Sequence, residues 1–133
     1  MAISVTKADV RPLPGAIIRS YVVSGTVYVG DAVYPAGGSV SQANAGATAT
    51  AYGFGIVVAC PGGGTVATTG DRVDVVRHGP VTGFASLTAG TPAIYTDNTA
   101  GALVQGTGGT VVHKIGVAEN STTIYVQPAI TQA

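Results

Sequence analysis

The chain has 133 residues, and only 9% of them are charged, while 46% are hydrophobic. Six basic and six acidic side chains give a net charge of zero. This length fits one domain. The neutral composition lacks the basic patch that binds nucleic acid or anionic lipid, so we expect neither nucleic acid nor a membrane as a partner.

The kinds of residue predict an all-β chain. There are 20 valines and 17 threonines, but only 3 leucines, 2 lysines and 1 glutamate. β-Branched residues favour strands, and the usual helix formers are scarce, which excludes an all-helical fold. The single cysteine permits no internal disulfide. The start of the chain lacks a basic segment followed by an apolar one, so we expect synthesis in a cytoplasm.

In chain order, residues 1–15 are predicted to form an extended N-terminal arm and residues 16–133 a single β domain. Pro12 and Pro14 stand at the end of the arm, where they exclude a helix and a central strand alike. The arm carries no strand or helix signal of its own. We therefore expect it to be weakly ordered in the free protein and to become ordered on a partner.

The rest of the chain consists of short apolar segments between Gly, Pro and Asx turns, which predict strands. These strands are expected at 16–23, 26–29, 32–34, 52–60, 72–77, 81–84, 92–96, 111–118 and 122–127. The segment 52–60 is almost continuously apolar, which predicts burial of both faces. Residues 41–50 are predicted to be a loop with about one helical turn. Thr123 is expected on an exposed face, opposite a core that comprises Ile56, Val57, Val58, Val75, Ile94, Ile115, Val117, Ile124 and Val126.

The chain also shows an internal repeat. Val33-Tyr34 and Ile94-Tyr95 are 61 residues apart, and so are Gly55-Ile56 and Gly116-Val117. A turn and a short strand lie between the two motifs in each half. The pattern indicates a duplicated β unit, and the expected fold is a small β-barrel or sandwich of short antiparallel strands.

Few residues of the chain could act as catalytic groups or metal ligands. The chain contains the cysteine, histidines and aspartates that a Cys-His-Asp arrangement needs. A hydrolase using Cys60 with His78 or His113 is therefore kept as an alternative. However, Cys60 ends an apolar strand and is expected to be a buried thiol. His113 is expected to be a hydrogen-bonded core residue and His78 a solvated turn residue. The remaining acidic candidates (Asp71, Asp74 and Glu119) lack the spacing of a metal site, and Arg72 with Asp74 is expected to form a surface ion pair. We predict no catalytic, cofactor or metal site.

Three segments of glycines and aliphatic residues follow one another along the chain. They are Gly30-Asp31-Ala32-Val33-Tyr34 with Phe54-Gly55-Ile56-Val57, then Gly70-Asp71-Arg72-Val73-Asp74-Val75-Val76 with Gly79-Pro80-Val81-Thr82-Gly83, and finally Gly90-Thr91-Pro92-Ala93-Ile94-Tyr95 with Ile115-Gly116-Val117-Ala118 and 121–126. In these segments, which cover roughly residues 16–127, the chain resembles the capsid cement proteins, or head decoration proteins, of tailed bacteriophages.

The resemblance implies a non-enzymatic protein without cofactors, located on the outer capsid surface of a virion. It implies a β-rich homotrimer that clamps neighbouring subunits of the major capsid protein, often through an extended N-terminal arm. On this hypothesis the capsid-binding residues are Lys7, Arg11, Pro12, Pro14 and Arg19. A fibre-associated or receptor-binding β module of a virion is the alternative, and copy number on particles separates the two.

Overall fold

The computed structural model describes residues 3–88, 93–106 and 108–128. Within these ranges, helix is limited to α1 (Thr48–Ala51) and two 3-10 turns (Lys7–Asp9 and Pro61–Gly63). The strands of the same ranges are β1 (Ser4–Val5), β2 (Arg11–Pro12), β3 (Ile17–Val22), β4 (Thr26–Tyr28), β5 (Ala32–Ala36), β6 (Ser39–Gln42), β7 (Gly55–Ala59), β8 (Val66–Thr68), β9 (Arg72–Thr82), β10 (Phe84–Ala85), β11 (Ala93–Thr96), β12 (Leu103–Gln105), β13 (Lys114–Ala118) and β14 (Thr123–Val126). The all-β prediction is confirmed. Gly90, Thr91 and Pro92, used for the predicted strand 92–96 and for the resemblance, lie outside the described residues.

Strand β9 organises the sheet because it pairs with four other strands. Residues 11–22 follow one of its edges in the antiparallel direction, β2 opposite residues 81–82 and β3 opposite residues 72–78. The other edge pairs with β7 at residues 74–76 and with β14 at residues 79–82. The sequence predicted two strands here, since His78-Gly79-Pro80 has turn composition. Instead, cross-strand partners on both sides hold the segment extended.

Two wings extend from β9. The first wing is β7, β5 and β6, and the second wing continues from β14 through β13, β11 and β12. The first wing curls until β6 meets the end of β3 at a parallel bridge between Val23 and Val40. The Ser24 N–H donates to the Val40 carbonyl at 2.9 Å and closes this curl. The result is a curled antiparallel sheet with a barrel-like first wing.

The strand registers confirm the repeat. In the first wing Val33 lies opposite Gln42 and Gly55, and in the second wing Ile94 lies opposite Gln105 and Gly116. Ala32 faces Ile56 in the same way as Ala93 faces Val117. Matched pairs on both sides of a strand require the same backbone arrangement, so the two wings are copies of one β unit.

The core lies along both wings and is built from small aliphatic residues. Of the nine residues predicted for it, eight are buried, and Val117 is only half-buried. Thr123 was also predicted wrongly, because it is 4% exposed rather than on an open face. Strand β7 is buried on both faces, as predicted, since Ile56 and Val57 are both fully covered. The second wing is covered well on one face only.

The N-terminal arm forms β1, the 3-10 turn at Lys7–Asp9 and β2, and it is bound to the body of the protein. β1 pairs with β10, β2 pairs with β9, and the Ile3 N–H donates to the Leu103 carbonyl at 3.0 Å. Gly83 permits this close approach: it has φ of 110°, and a Cβ there would lie 2.5 Å from the Val10 Cα. The expectation of a weakly ordered arm is therefore wrong, because backbone pairing with distant strands supplies the order that its sequence lacks.

Candidate interaction surface

The structure brings four of the five predicted binding residues to one edge of the sheet. Arg11, Pro12, Pro14 and Arg19 all lie in the segment 11–22 that runs along β9. We call the outer side of this segment the β2–β3 edge. A proline in β2 is compatible with an edge strand, because its missing N–H removes no bond from the centre of a sheet. The two arginines are exposed.

The most exposed apolar residues of this edge were not among the predicted binding residues. Ile17 is 56% exposed and Ile18 is 42% exposed. Both belong to a strand that was predicted from its apolar residues, and the pattern alone does not distinguish an edge strand from a central one. Consecutive isoleucines on an open edge are unusual, since proteins normally protect such edges with charge, proline or a bulge.

Unused backbone groups accompany these side chains. The Val23 N–H donates to the carbonyl of Asp71, the residue before β9, at 2.8 Å, so the backbone N–H of Val23 faces that side of β3. Along an antiparallel strand the backbone groups of successive residues face alternate sides. The N–H and C=O groups of Ile18 and Ser20 therefore point away from β9. In the described chain no strand pairs with that side of β3 at these two residues. An extended segment of a partner can bind there.

Lys7, the fifth predicted binding residue, lies outside the β2–β3 edge. Its ammonium nitrogen lies 4.6 Å from the centre of the Tyr28 ring, in a cation–π contact. It also lines an open cavity together with Asp31 and the arm residues Ile3 and Val5. Lys7 therefore contributes to docking of the arm on the body.

Asp31 sits where the arm and the two wings meet. Its Oδ2 accepts a hydrogen bond from the Gln42 side-chain amide at 2.7 Å and another from the Tyr28 N–H at 2.9 Å. Burial raises the pKa of the Asp31 carboxyl, although these two bonds and the charge of Lys7 oppose the shift. The carboxyl also contacts Gly101, where any Cβ would lie 2.6 Å from its Cγ. These contacts give Asp31 a structural role.

The hydrolase candidates are not assembled into a nucleophile and base. Cys60 is 7% exposed, and burial, followed by the charges of Asp31 and Asp71, raises the pKa of its thiol. This disfavours the reactive thiolate. The His113 Nε2 bonds to the Gly53 carbonyl at 2.9 Å, as expected for a core histidine. Among the described residues no hydrogen bond joins Cys60 to a histidine.

Two polar predictions on β9 are corrected. His78 is half-buried inside the strand rather than in a solvated turn, and its ring packs edge to face against Tyr125 with centroids 5.3 Å apart. Arg72 donates to the Ser20 hydroxyl at 3.2 Å rather than pairing with Asp74. In the antiparallel ladder, Ser20 lies directly opposite Asp74 and provides this nearby acceptor.

Within the described ranges, no group of three or more His, Cys, Asp or Glu side chains could hold a metal ion. None of the helices described there is long and apolar enough to cross a membrane. Comparison with known proteins found no matching family model, no matching curated protein and no matching solved structure.

Proposed function

We propose that this chain is a non-enzymatic structural protein of a tailed-phage virion. In this proposal it binds the outside of the capsid and stabilises contacts between major capsid protein subunits. We propose that it also assembles with copies of itself as a homotrimer, as the resemblance to that family implies. The observation that carries the proposal is the β2–β3 edge, where open backbone groups, exposed isoleucines and two arginines lie along one side of the sheet.

The chemistry of the edge suits a protein surface. Ile17 and Ile18 supply apolar contact area, which favours association. Arg11 and Arg19 lie on the same edge and can bind carboxylates of a capsid subunit through paired hydrogen bonds. The body behind the edge is a β fold in a chain whose net charge is zero.

The docked arm changes how the partner is contacted. The arm was expected to reach across the capsid surface, but in the free chain β1 and β2 belong to the fold. We therefore assign capsid contact to the β2–β3 edge as a preformed surface. Binding through it costs less ordering entropy than folding a free arm would.

Charge reversal on the edge tests the proposal. The probe is the expanded capsid of the virus that encodes the chain, assembled without it, and the measurement is cosedimentation. Arg11→Glu combined with Arg19→Glu should weaken binding at least about tenfold, since two favourable charge contacts become repulsive. Lys114→Glu is the matched control, because Lys114 is exposed on β13 and lies outside the edge.

Circular dichroism and sedimentation must show that each variant keeps its fold and oligomeric state. Undiminished binding by the double arginine variant would overturn the assignment of the edge. Counting copies on purified particles tests the function itself. Hundreds of copies support a lattice protein, whereas a few copies would replace this proposal with a fibre-associated module.

A further inference from the structure

Arg77 of β9 is held in one orientation by two aromatic residues. Its Nε–H donates to the Phe54 carbonyl at 3.2 Å, and its terminal nitrogen Nη1 donates to the Tyr21 hydroxyl at 2.7 Å. The guanidinium carbon lies 4.0 Å from the centre of the Phe54 ring, in a cation–π contact. The Tyr21 and Phe54 rings also contact each other, with centroids 5.3 Å apart. We call these three residues the Arg77 cluster.

The charge of Arg77 has no carboxylate partner in the part of the chain that the structure describes. All the acidic side chains of the sequence lie in that part, and none of them forms an ion pair with Arg77. Arg77 is half-buried, so water compensates its charge less fully than on an open surface. Phe54 and Tyr21 use two of its N–H groups, and a guanidinium has others to donate. The cluster therefore presents an oriented cation with donors still available.

A second arginine lies beside the cluster. Arg19 and Tyr21 are two residues apart on β3, so their side chains share one face of the strand. The bond between Tyr21 and Arg77 places Arg77 on that face as well. Arg19 lies opposite Val75, which is two residues from Arg77, and it is exposed at the β2–β3 edge. The two guanidinium groups are therefore neighbours, one at the edge and one behind it.

We propose that the Arg77 cluster is a carboxylate site, which together with Arg19 binds an acidic segment of the capsid subunit at the β2–β3 edge. A planar guanidinium matches a carboxylate and can donate two parallel hydrogen bonds to it. Phe54 and Tyr21 already orient Arg77, so little side-chain freedom is lost on binding. A protein carboxylate is favoured over a nucleic acid, since a chain of zero net charge does not attract a polyanion.

This proposal rests on the capsid binding proposed above and names the chemistry that the partner must supply. The site itself can be tested without a capsid. The probe is the blocked peptide acetyl-Ala-Glu-Ala-Glu-Ala-amide, because residues two apart in an extended peptide face the same side. The measurement is the Nε–H resonance of Arg77 in the complete ¹⁵N-labelled chain. The peptide should shift this resonance saturably, and the matching glutamine peptide should not.

Arg77→Lys separates carboxylate binding from a structural role. Lysine keeps the charge but lacks the planar pair of donors. Its cosedimentation with expanded capsids should weaken at least about tenfold. Arg72→Lys is the matched control, because Arg72 is an exposed arginine on the same strand and alternates with Val73, which lies opposite Tyr21. This control should bind like the parent chain.

Circular dichroism must show that both lysine variants are folded. Tyr21→Phe is a milder variant in case Arg77→Lys fails to fold. It removes one of the bonds that orient Arg77 and keeps both the charge and the aromatic ring. It should weaken binding of the glutamate peptide and of capsids, whereas a purely structural cluster would change stability alone.

Distinct outcomes would overturn each part of the proposal. A parent chain that shows no saturable response to the glutamate peptide, or an equal response to the glutamine peptide, has no carboxylate site. Tighter binding of inorganic phosphate than of the glutamate peptide would overturn the choice of a carboxylate. Parent-like capsid binding by a folded Arg77→Lys chain, or by Tyr21→Phe in its place, would remove the cluster from the capsid contact. A parent chain that binds the glutamate peptide but no capsid would support the site and contradict the proposed function.

Discussion

Gly55 and Gly116 occupy the same register position in the two wings, and each lies against the backbone of the next strand. A Cβ at Gly55 would lie 2.6 Å from the Val76 carbonyl oxygen. A Cβ at Gly116 would meet the carbonyl oxygen of Tyr125 in the same way. Val76 and Tyr125 are themselves equivalent residues of the repeat. Both glycines are thus required by the same close approach between strands.

Substituting either glycine should destabilise the fold. Gly55→Ala and Gly116→Ala each force a methyl group against a fixed carbonyl, which should cost about 1–3 kcal/mol of unfolding free energy. Gly46→Ala is the control, because Gly46 is exposed and its Cβ would meet only the Asn44 side chain rather than a backbone carbonyl. Its cost should stay under about 0.5 kcal/mol. Urea denaturation measures all three, and equal costs would contradict the argument.

The equivalent residues Ile56 and Val117 should respond differently to truncation. Ile56→Ala removes a fully buried side chain and should cost about 2–5 kcal/mol. Val117→Ala removes a half-buried one and should cost about 1 kcal/mol. The measurement is urea denaturation at low protein concentration, where self-association adds nothing. A larger loss of unfolding free energy for Val117→Ala would show that the face of β13 that carries Val117 is covered within the monomer.

Asp31 should make stability depend on pH. Burial raises its folded pKa above the ordinary value of 3.8, so the folded chain binds this proton more tightly than the unfolded chain. Stability contributed by this residue therefore falls as the pH rises from that value through the folded pKa. Asp31→Asn removes the titration and still offers an oxygen to the Tyr28 N–H. Its stability relative to the parent chain should increase from about pH 4 to about pH 7.

Denaturant unfolding at the two pH values checks the Asp31 prediction. Asp74→Asn is the control, because it removes an exposed carboxylate from β9. A difference between the parent chain and Asp31→Asn that stays constant with pH would show that burial does not govern this carboxyl. The difference would also stay constant with pH if Lys7 and Gln42 together lowered the pKa of the carboxyl as much as burial raises it.

Cys60 should be unreactive in the folded protein. Its small exposure and the raised pKa of its thiol both reduce the concentration of accessible thiolate. Labelling with a thiol reagent should be at least about tenfold slower in the native chain than in urea. Rapid native labelling would contradict this and would restore Cys60 as a candidate nucleophile.

Several features could be predicted from the sequence because they depend on local chemistry. Abundant β-branched residues predict the strand class, and the apolar segment around Ile56 predicts a doubly covered strand. The repeat was visible because Gly55 and Gly116 serve the same backbone contact. Burial of Cys60 followed from its place at the end of an apolar segment.

Other features were decided by tertiary structure. Alternation along a strand defines two faces, but it does not identify the neighbouring strands, which come from distant parts of the chain. For this reason β3 was predicted as a strand without any sign that Ile17 and Ile18 lie at its open edge. The same reason explains why Val117 is half-exposed although its counterpart Ile56 is covered.

The arm shows the division most clearly. Its composition excluded a continuous helix through residues 12–14, since Pro12 and Pro14 lack the backbone N–H that a helix interior needs. Only the tertiary structure decided that it is docked, because β9, β10 and Leu103 provide partners that are remote in sequence. Long-range backbone pairing satisfies hydrogen bonds that the local sequence cannot satisfy by itself. For this reason we place the candidate interaction surface at the β2–β3 edge rather than on a free arm.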